Sequence, residues 1–340
     1  MELTTVIPVF NGERFLQTTL ECLATQSRRP DRVVVIDNGS TDRTPELVKG
    51  FRGIACEFHQ NPTNLGVIGN LNRCLEFASE TRYLHLLMAD DLVTPDFFTK
   101  VLPALAEAPG GALGYSLNDY IDQQGRVVGP PVRRPVGPAR HVGRNEFLTP
   151  HSDLRTVLLP GVVFKTDFQP PLCRFENLPQ MADVLFFAQW ATLSSDIIEI
   201  PEYLCHHRLH PFNESSRQLY DANLTIRDEW HVIQRILPWF DEGPLRNALR
   251  RARGACVMAA RIQVKMDMMA RLQPEKATEF SRIRSELLGP WTCLAGTAAV
   301  RTRDLLRRLR GQPSRADELI QPIATKGTPP SQTDRPSRCP

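Results

Sequence analysis

Apolar segments without polar interruption alternate with amphipathic segments over roughly the first 210 residues. Residues 6–10 and 32–37 are such apolar segments, and the second is rich in β-branched residues, which predicts strands buried on both faces of a sheet. Between them, Leu16, Leu20 and Leu23 recur at helical spacing. A repeated strand–helix unit is typical of an α/β fold. The same criteria predict further strands at 54–58, 83–88, 156–165 and 197–204, and helices near 45, at 69–78, 95–108 and 182–193.

The pattern changes in the last third of the chain. Residues 216–310 carry helical periodicity, whereas residues 311–340 are rich in Pro, Ser, Thr and Gln, a composition that predicts disorder. The proline-rich stretch 130–138 predicts a surface loop. We therefore expect a domain large enough to hold a catalytic site over 1–215, a helical region over 216–310 and a disordered tail over 311–340.

Composition narrows the class of protein. The 340 residues are 41% hydrophobic and 23% charged, which are ordinary globular values, and the net charge of +3 gives no reason to expect nucleic acid as a partner. No segment approaches the roughly 20 apolar residues of a membrane span, and the first residues do not resemble a secretory signal. The eight cysteines lack metal-binding spacing. We expect a cytoplasmic protein.

Acidic residues stand at two predicted strand ends. Ligands of open α/β sheets bind beyond the carboxyl ends of the strands, where Asp37 and the pair Asp90–Asp91 are expected. Two adjacent carboxylates repel each other, so a divalent cation with oxygen ligands, such as Mg²⁺ or Mn²⁺, is the natural compensation. Alternatively, Asp37 is only a turn former and Asp91 only caps the following helix.

Four segments extend this observation. VIPVFNG at 6–12, DNGSTD at 37–42, NLG at 64–66 with Asn70, and LMADD at 87–91 occur in this order. Together they resemble the family 2 glycosyltransferases. The resemblance covers roughly the first 210 residues and implies the GT-A fold: a mixed, Rossmann-like α/β sheet flanked by helices, here with a helical C-terminal extension.

The resemblance implies a role for each matching residue. Asp37 would accept a hydrogen bond from the nucleobase imide of a uridine or thymidine donor. Asp90 would contact the ribose, and Asp91 would coordinate Mn²⁺ or Mg²⁺, with His210 as a further ligand. Met88 stands where the family usually has a first acid. The remaining residues implied to bind the nucleotide sugar are Pro8, Val9, Asn11, Asn64, Gly66 and Asn70.

A second cluster, at 181–187, resembles the segment of the family that carries the catalytic base. Ala182 replaces the first acid of that segment, so the resemblance leaves Asp183 as the general base that deprotonates the acceptor hydroxyl. Asp183 could instead interact only with the dipole of the helix N-terminus. Glu176 is the reserve candidate, and Arg208 is a candidate for contact with the diphosphate.

The implied reaction is an inverting transfer from a UDP- or dTDP-sugar to a hydroxyl of a glycan or lipid-linked acceptor. A non-catalytic nucleotide-sugar or glycan-binding module is the alternative, because Met88 and Ala182 replace acids. A dinucleotide-dependent oxidoreductase would need a G-x-G-x-x-G turn, which is missing. A processive synthase would carry membrane spans and a Gln-x-x-Arg-Trp element, and neither is present.

Five arginines and three leucines share the stretch 301–310. Helical spacing would separate the leucines from much of the arginine, as in helices that lie on anionic membranes. The alternative is a solvated helix face. The pattern is therefore compatible with peripheral membrane contact through this basic helix and with a solvated helix.

Overall fold

The structure is a computed structural model that describes residues 2–128, 136–166, 173–178, 180–193, 196–210, 223–309, 312 and 314. Contacts between Cα atoms divide the chain into two units. The first comprises 1–213 with 231–247, and the second comprises 214–230 with 248–340. The predicted tail at 311–340 and most of the predicted loop at 130–138 lie outside the described residues. The predicted boundary at 215 stays a prediction.

The first unit is built on one mixed sheet, which has ten strands in the described part of the chain. Along the sheet the order is β3-β2-β1-β4-β9-β6-β10-β5, with β7 paired to β6 and β8 paired to β10. The strands are β1 Leu3–Val9, β2 Arg32–Asp37, β3 Cys56–Gln60, β4 Tyr83–Leu86, β5 Leu92–Val93, β6 Ala112–Ile121, β7 Val127–Val128, β8 Arg140–His141, β9 Val162–Lys165 and β10 Asp196–Arg208.

Helices flank this sheet and make up most of the second unit. Short 3₁₀ segments at Leu75–Glu80, Leu159–Gly161 and Leu237–Trp239 and a π-helical turn at Asn223–Arg227 complete the regular structure. The α-helices are α1 Leu16–Ala24, α2 Thr44–Gly50, α3 Gly66–Cys74, α4 Phe97–Ala106, α5 Arg144–Ser152, α6 Ala182–Leu193, α7 Asp228–Ile236, α8 Pro244–Leu272, α9 Pro274–Leu287 and α10 Pro290–Leu309.

The sheet confirms the expected mixed α/β architecture. Strands β1 to β4 are parallel, and β9 then runs antiparallel between β4 and β6. Strand β10 lies parallel to β6 and antiparallel to β5. All residues of β1 and five of the six in β2 are buried, which is why these strands consist of uninterrupted apolar and β-branched residues.

Strand β6 is a ten-residue element that the hydrophobic pattern did not predict. Its sequence contains Gly114, Asn118 and Asp119, which have low strand propensity, yet its first six residues are buried between β9 and β10. A Cβ on Gly114 would lie 3.0 Å from the side chain of Leu105, so helix α4 packs closely on this strand. Tertiary pairing therefore overrides local propensity here.

The second unit has its own apolar core. Met258, Ile262 and Phe280 have no exposed surface, and a Cβ added to Gly296 would lie 2.4 Å from that of Ala259. Helices α8 and α10 therefore pack in close contact at this glycine. Over the described part of the chain, no helix combines the length and the hydrophobicity that crossing a bilayer requires.

Candidate active site

The loops after β1 and β2 are joined by hydrogen bonds. Asn11 has a left-handed backbone (φ 51°), and its amide N–H donates to Ser40 Oγ at 2.8 Å. Its side-chain oxygen accepts from the amide of Thr41 at 2.9 Å, and the amide of Gly12 donates to Thr44 Oγ1 at 2.8 Å. Asn11 therefore fixes the geometry of both loops, because an Asn tolerates the left-handed region better than most residues.

Asp37 ends β2 with a side chain that has no exposed surface. Its carboxylate accepts from the amide of Ser40 at 3.2 Å, from the Ser40 hydroxyl, and from Gln60 Nε2 at 2.8 Å. In this conformation the carboxylate organises the turn that follows β2. Direct contact between Asp37 and a nucleobase stays a prediction.

Four asparagines form a hydrogen-bonded cluster behind this turn. Asn61 Nδ2 donates to Asn38 Oδ1 at 3.0 Å and to Asn70 Oδ1 at 2.9 Å, and Asn38 Nδ2 donates to Asn64 Oδ1 at 2.9 Å. Asn64 Oδ1 also accepts from the amide of Gly66, whose backbone is left-handed (φ 72°). Asn70 acts through Asn61 rather than from the surface, since only 4% of it is exposed.

Of the residues expected to line the nucleoside pocket, Pro8 and Val9 are buried inside the sheet. The next residue, Phe10, is instead 48% exposed, as are Leu65 (46%) and Val67 (46%) on the loop and helix that follow β3. These three apolar side chains were missed. The available signal was that Phe10 directly follows β1 beside Asn11, and that Leu65 and Val67 lie within three residues of Asn64 in the segment after β3.

The carboxylates of Asp90 and Asp91 face two imidazoles at the end of β10. Strand β5 pairs with β10 so that Leu92 lies opposite His206, which brings Asp91 beside His207. Asp91 Oδ2 lies 3.1 Å from His207 Nδ1, and its Oδ1 accepts from the amide of Arg208 at 2.8 Å. Asp90 Oδ2 lies 2.8 Å from His210 Nε2.

The two carboxylates differ in access. Asp91 has no exposed surface and both of its oxygens are hydrogen-bonded, whereas the Asp90 side chain is 28% exposed and its Oδ1 has no partner among the described residues. No set of three or more His, Cys, Asp and Glu side chains in the described part of the chain has the geometry of a metal site. Burial therefore opposes direct metal coordination by Asp91, which was the predicted ligand, whereas Asp90 is accessible.

Burial raises the pKa of Asp91, while the hydrogen bond and charge of His207 oppose that rise. Burial alone would lower the pKa of His207, but its hydrogen bond with Asp91 and the charges of Asp91, Asp90 and Asp183 outweigh it and raise the pKa. Tyr120, at the end of β6, contacts the His207 ring edge-on with centroids 6.0 Å apart. His207 is a further residue to which the sequence assigned no role, and its signal was an imidazole three positions before His210.

The Arg208 side chain connects the loop that carries Asp90 to the end of β6. Its Nε donates to the carbonyl of Asp90 at 2.8 Å, and one terminal nitrogen donates to the carbonyl of Asp122 at 3.0 Å. The guanidinium lies 4.9 Å from the centre of the Phe15 ring, and the His210 ring also contacts Phe15. Because Arg208 is 97% buried, it holds the strand ends together in this conformation, and contact with a diphosphate stays a prediction.

Asp183 lies in the first turn of α6, as predicted, and is partly buried. Burial raises the pKa of its carboxyl to about 6, while hydrogen bonds from backbone amides, that of Val184 at 2.8 Å first, oppose the rise. The charge of Asp183 acts on His207, so α6 and β10 contribute to one electrostatic cluster. The reserve candidate Glu176 instead bonds Gln189 at 2.7 Å and pairs with Arg235 at 3.1 Å.

Comparison with known proteins identifies the domain that carries this geometry. Residues 4–141 match the sequence model of glycosyl transferase family 2. These residues form a family 2 glycosyltransferase domain. The match includes the loops after β1, β2 and β3 and both carboxylates of the corner, so the glycosyltransferase assignment rests on this part of the chain.

Relatives in sequence and in structure agree with the family. An uncharacterized glycosyltransferase of Haemophilus influenzae is 23% identical over 239 residues, which are 65% of this chain and 70% of that protein. Residues 1–349 of TarS from S. aureus, in complex with UDP-GlcNAc, align with a TM-score of 0.56 and 19% identity over 76% of this chain and 71% of TarS 1–349. The mannosyltransferase PcManGT from Pyrobaculum calidifontis, with GDP-Man and Mn²⁺, aligns with a TM-score of 0.53 and 16% identity over 95% of this chain and 79% of that chain. At such identities the likeness shows the GT-A fold.

Proposed function

We propose that this glycosyltransferase moves a sugar, with inversion, from a UDP- or dTDP-sugar to a hydroxyl of a glycan or lipid-linked acceptor. The observation that carries the proposal is the cluster in which Asp183 from α6 acts on the His207–Asp91 pair beside Asp90 and His210. We further propose that the reaction takes place in the cytoplasm, with membrane contact through the basic C-terminal helix.

The donor would bind over the carboxyl ends of β1 to β3. Hydrogen-bonded Asn and Ser side chains preorganise the loops there, and the exposed Phe10 offers an apolar face for a base. TarS and PcManGT, which share the fold, are complexed with UDP-GlcNAc and GDP-Man. The residues around Asp37 support a nucleotide in this position. For Asp37 to accept a hydrogen bond from the imide N–H of the base, Ser40 or Gln60 would have to release its carboxylate.

A divalent cation, Mn²⁺ or Mg²⁺, fits the oxygen and nitrogen donors of this corner. Asp90 and His210 would hold it, because their donor atoms lie 2.8 Å apart and Asp90 Oδ1 has no partner among the described residues. Asp91 would join only if its buried side chain became accessible, because His207 and the amide of Arg208 each occupy one position on its two oxygens. When bound, the cation would neutralise charge on the diphosphate leaving group.

Asp183 would remove the proton of the acceptor hydroxyl. With a pKa of about 6, its carboxyl is ionised at neutral pH and is a stronger base than an ordinary aspartate. The acceptor oxygen would then attack the anomeric carbon from the face opposite the nucleotide, which inverts the configuration. Tyr120 at the end of β6, at 38% exposure, is available to line the acceptor side of the cluster.

A panel of sugar nucleotides, each with and without Mn²⁺, tests this proposal. Preferential binding of one UDP- or dTDP-sugar raises the melting temperature, and the same donor should be hydrolysed slowly when acceptor is omitted. Donor binding without any turnover would instead indicate a binding module. If no uridine or thymidine nucleotide shifts the melting temperature but a GDP-sugar does, the donor assignment is wrong while the transfer chemistry stands.

A further inference from the structure

Helix α10 has two apolar faces. One face packs within the second unit through Cys293, Gly296 and Val300, which are buried. On the opposite face Trp291 is 81% exposed, Leu294 60%, Leu305 58% and Leu309 74%. At 3.6 residues per turn these four side chains, with Ala298 between them, fall on one stripe. A helix that only closes a core needs one such face, so the second requires a partner.

The exposed apolar side chains of α10 are clustered and extend along most of the helix. Five of the sixteen exposed large apolar side chains in the described residues lie on this single helix. The stripe runs from Trp291 to Leu309 and therefore extends for roughly 30 Å at 1.5 Å per residue. Clustered apolar surface of this kind marks an interaction site, whereas scattered exposed leucines do not.

Charge identifies the partner. Residues 290–309 contain four arginines and one aspartate, and the aspartate, Asp304, is buried. By helical geometry Arg301 lies about 20° beyond Leu294 on one side of the apolar face, and on the other side Arg303 lies about 60° beyond Leu306, which is 49% exposed. The two arginine side chains are 61% and 46% exposed, and they lie 3.1 Å from Asp267 and 3.9 Å from Asp304. An apolar stripe between cationic margins complements a surface with an anionic layer over an apolar interior.

We infer that the exposed face of α10 docks onto an anionic lipid bilayer, with the helix lying in the plane of the interface. Trp291 would sit at headgroup level, where the apolar ring and polar N–H of tryptophan are both accommodated, and the leucines would enter the acyl boundary. The arginines would contact lipid phosphates. This inference rests on the membrane contact proposed above, which it deepens by naming the face and the lipid class, and it does not depend on the proposed transfer reaction. The face begins ten residues before the arginine-rich stretch that the sequence singled out.

Co-sedimentation of the full-length chain with vesicles tests the inference. One set of vesicles contains phosphatidylcholine alone, and the other contains phosphatidylcholine with an equal amount of phosphatidylglycerol. We expect sedimentation with the anionic set only. The triple variant Trp291→Gln, Leu305→Gln, Leu309→Gln should bind at least about tenfold more weakly, and each of Arg301→Gln and Arg303→Gln roughly fivefold.

Leu249→Gln is the matched control, because Leu249 is an equally exposed leucine (62%) on α8 of the same unit. It should sediment like the wild type. Anionic vesicles should also shift tryptophan emission to shorter wavelength in the wild type but not in Trp291→Phe. Donor hydrolysis in vesicle-free solution should be unchanged in the triple variant, which separates lipid binding from catalysis.

Three results would overturn the inference. The first is wild-type protein that stays in the supernatant with anionic vesicles, and the second is a triple variant that sediments as well as the wild type. The third is a concentration-dependent dimer, seen by analytical ultracentrifugation without lipid binding, that the triple variant converts to monomer. In that case the face belongs to a second copy of the chain.

Discussion

The two ends of the catalytic sheet are built from different chemistry. At the carboxyl ends of β1 to β3, neutral Asn, Ser and Gln side chains bond one another and surround the single acid Asp37. At the ends of β4, β6 and β10, acids and imidazoles face each other, and the pKa values of Asp91, Asp183 and His207 are raised. The first arrangement fixes the conformation of the loops, and the second brings ionisable side chains together. Substitutions at the two ends should therefore fail in different ways.

The largest effect is expected at Asp183. Asp183→Asn should lower the transfer rate by about 10²–10⁴-fold, because no base then accepts the acceptor proton, while donor affinity stays unchanged. Initial rates and calorimetric donor titration measure the two. The variant should also be more stable at pH 7, by on the order of 1–3 kcal/mol, because it removes a carboxyl whose pKa is raised to about 6. Equal stability together with full activity would remove Asp183 from the mechanism.

The pH profile gives a second test of the same residue. Since the base must be ionised, activity should rise with pH through a midpoint near 6. Because the folded pKa lies above the ordinary value, the stability that the protonated carboxyl contributes is present at low pH and is lost as pH rises from about 4 to about 6. Initial rates and denaturant unfolding across that range measure both. A wild-type difference from Asp183→Asn that does not change with pH would contradict the assignment.

Substitutions of the adjacent carboxylates Asp90 and Asp91 should differ in their effect on stability. Asp90→Ala and Asp91→Ala should each lower turnover by at least about 10²-fold. Only Asp91→Ala should also lower the free energy of unfolding, by about 1–3 kcal/mol, because it leaves His207 and the buried amide of Arg208 without an acceptor. Asp90→Ala should lose Mn²⁺ binding, measured by electron paramagnetic resonance with UDP present. Retained Mn²⁺ binding in Asp90→Ala, with loss in Asp91→Ala, would return the metal to Asp91.

At the neutral end, Asn70→Ala should affect the fold before it affects chemistry. The variant loses the bonds to Asn61 and to the Ile36 carbonyl, so we expect about 1–3 kcal/mol less stability in urea unfolding and an unchanged maximal rate. Gln17→Ala removes an exposed hydrogen bond from the side-chain amide to Glu21 and is the control. A fall in maximal rate without a stability change would show that the two ends are not separable.

The smallest effect is expected for Phe10→Ala. The side chain is half-exposed, so its loss should leave the melting temperature unchanged. If a base stacks on it, the donor dissociation constant should rise by about tenfold. Fluorescence or calorimetric titration with the preferred donor measures this change, and Leu193→Ala is a control with similar exposure (49%). An unaltered dissociation constant would leave Phe10 without a role in donor binding.

Much of the fold was predictable because its strands are buried and its helices amphipathic. Strand β2 at Arg32–Asp37 and helix α6 at Ala182–Leu193 begin and end where the pattern predicted. Strand β6 was not found, since Asn118 and Asp119 interrupt its apolar pattern and its burial comes from neighbours more than 40 residues distant in the chain. Strand β10 also continues to Arg208, past the predicted end at 204.

The candidate site was predictable in its residues and not in its pairing. Asp90, Asp91, Asp183 and His210 were all named from the sequence. That Asp91 bonds His207 and Asp90 bonds His210 depends on the antiparallel pairing of the two-residue strand β5 with β10, across separations of 116 and 120 residues. A strand that short leaves no periodic signal. Burial of Asp91 follows from the same pairing and could not be read from its position beside Asp90.

The order of the strands has a consequence for biosynthesis. A nascent chain that has left the ribosome as far as residue 166 carries β1 to β9 and both corner carboxylates, but none of β10. Until residues 196–210 are translated, Asp91 has neither the His207 imidazole nor the Arg208 amide as a partner and stays hydrated. The charged corner therefore forms only after most of the sheet has been synthesised, and catalytic competence has to wait for it.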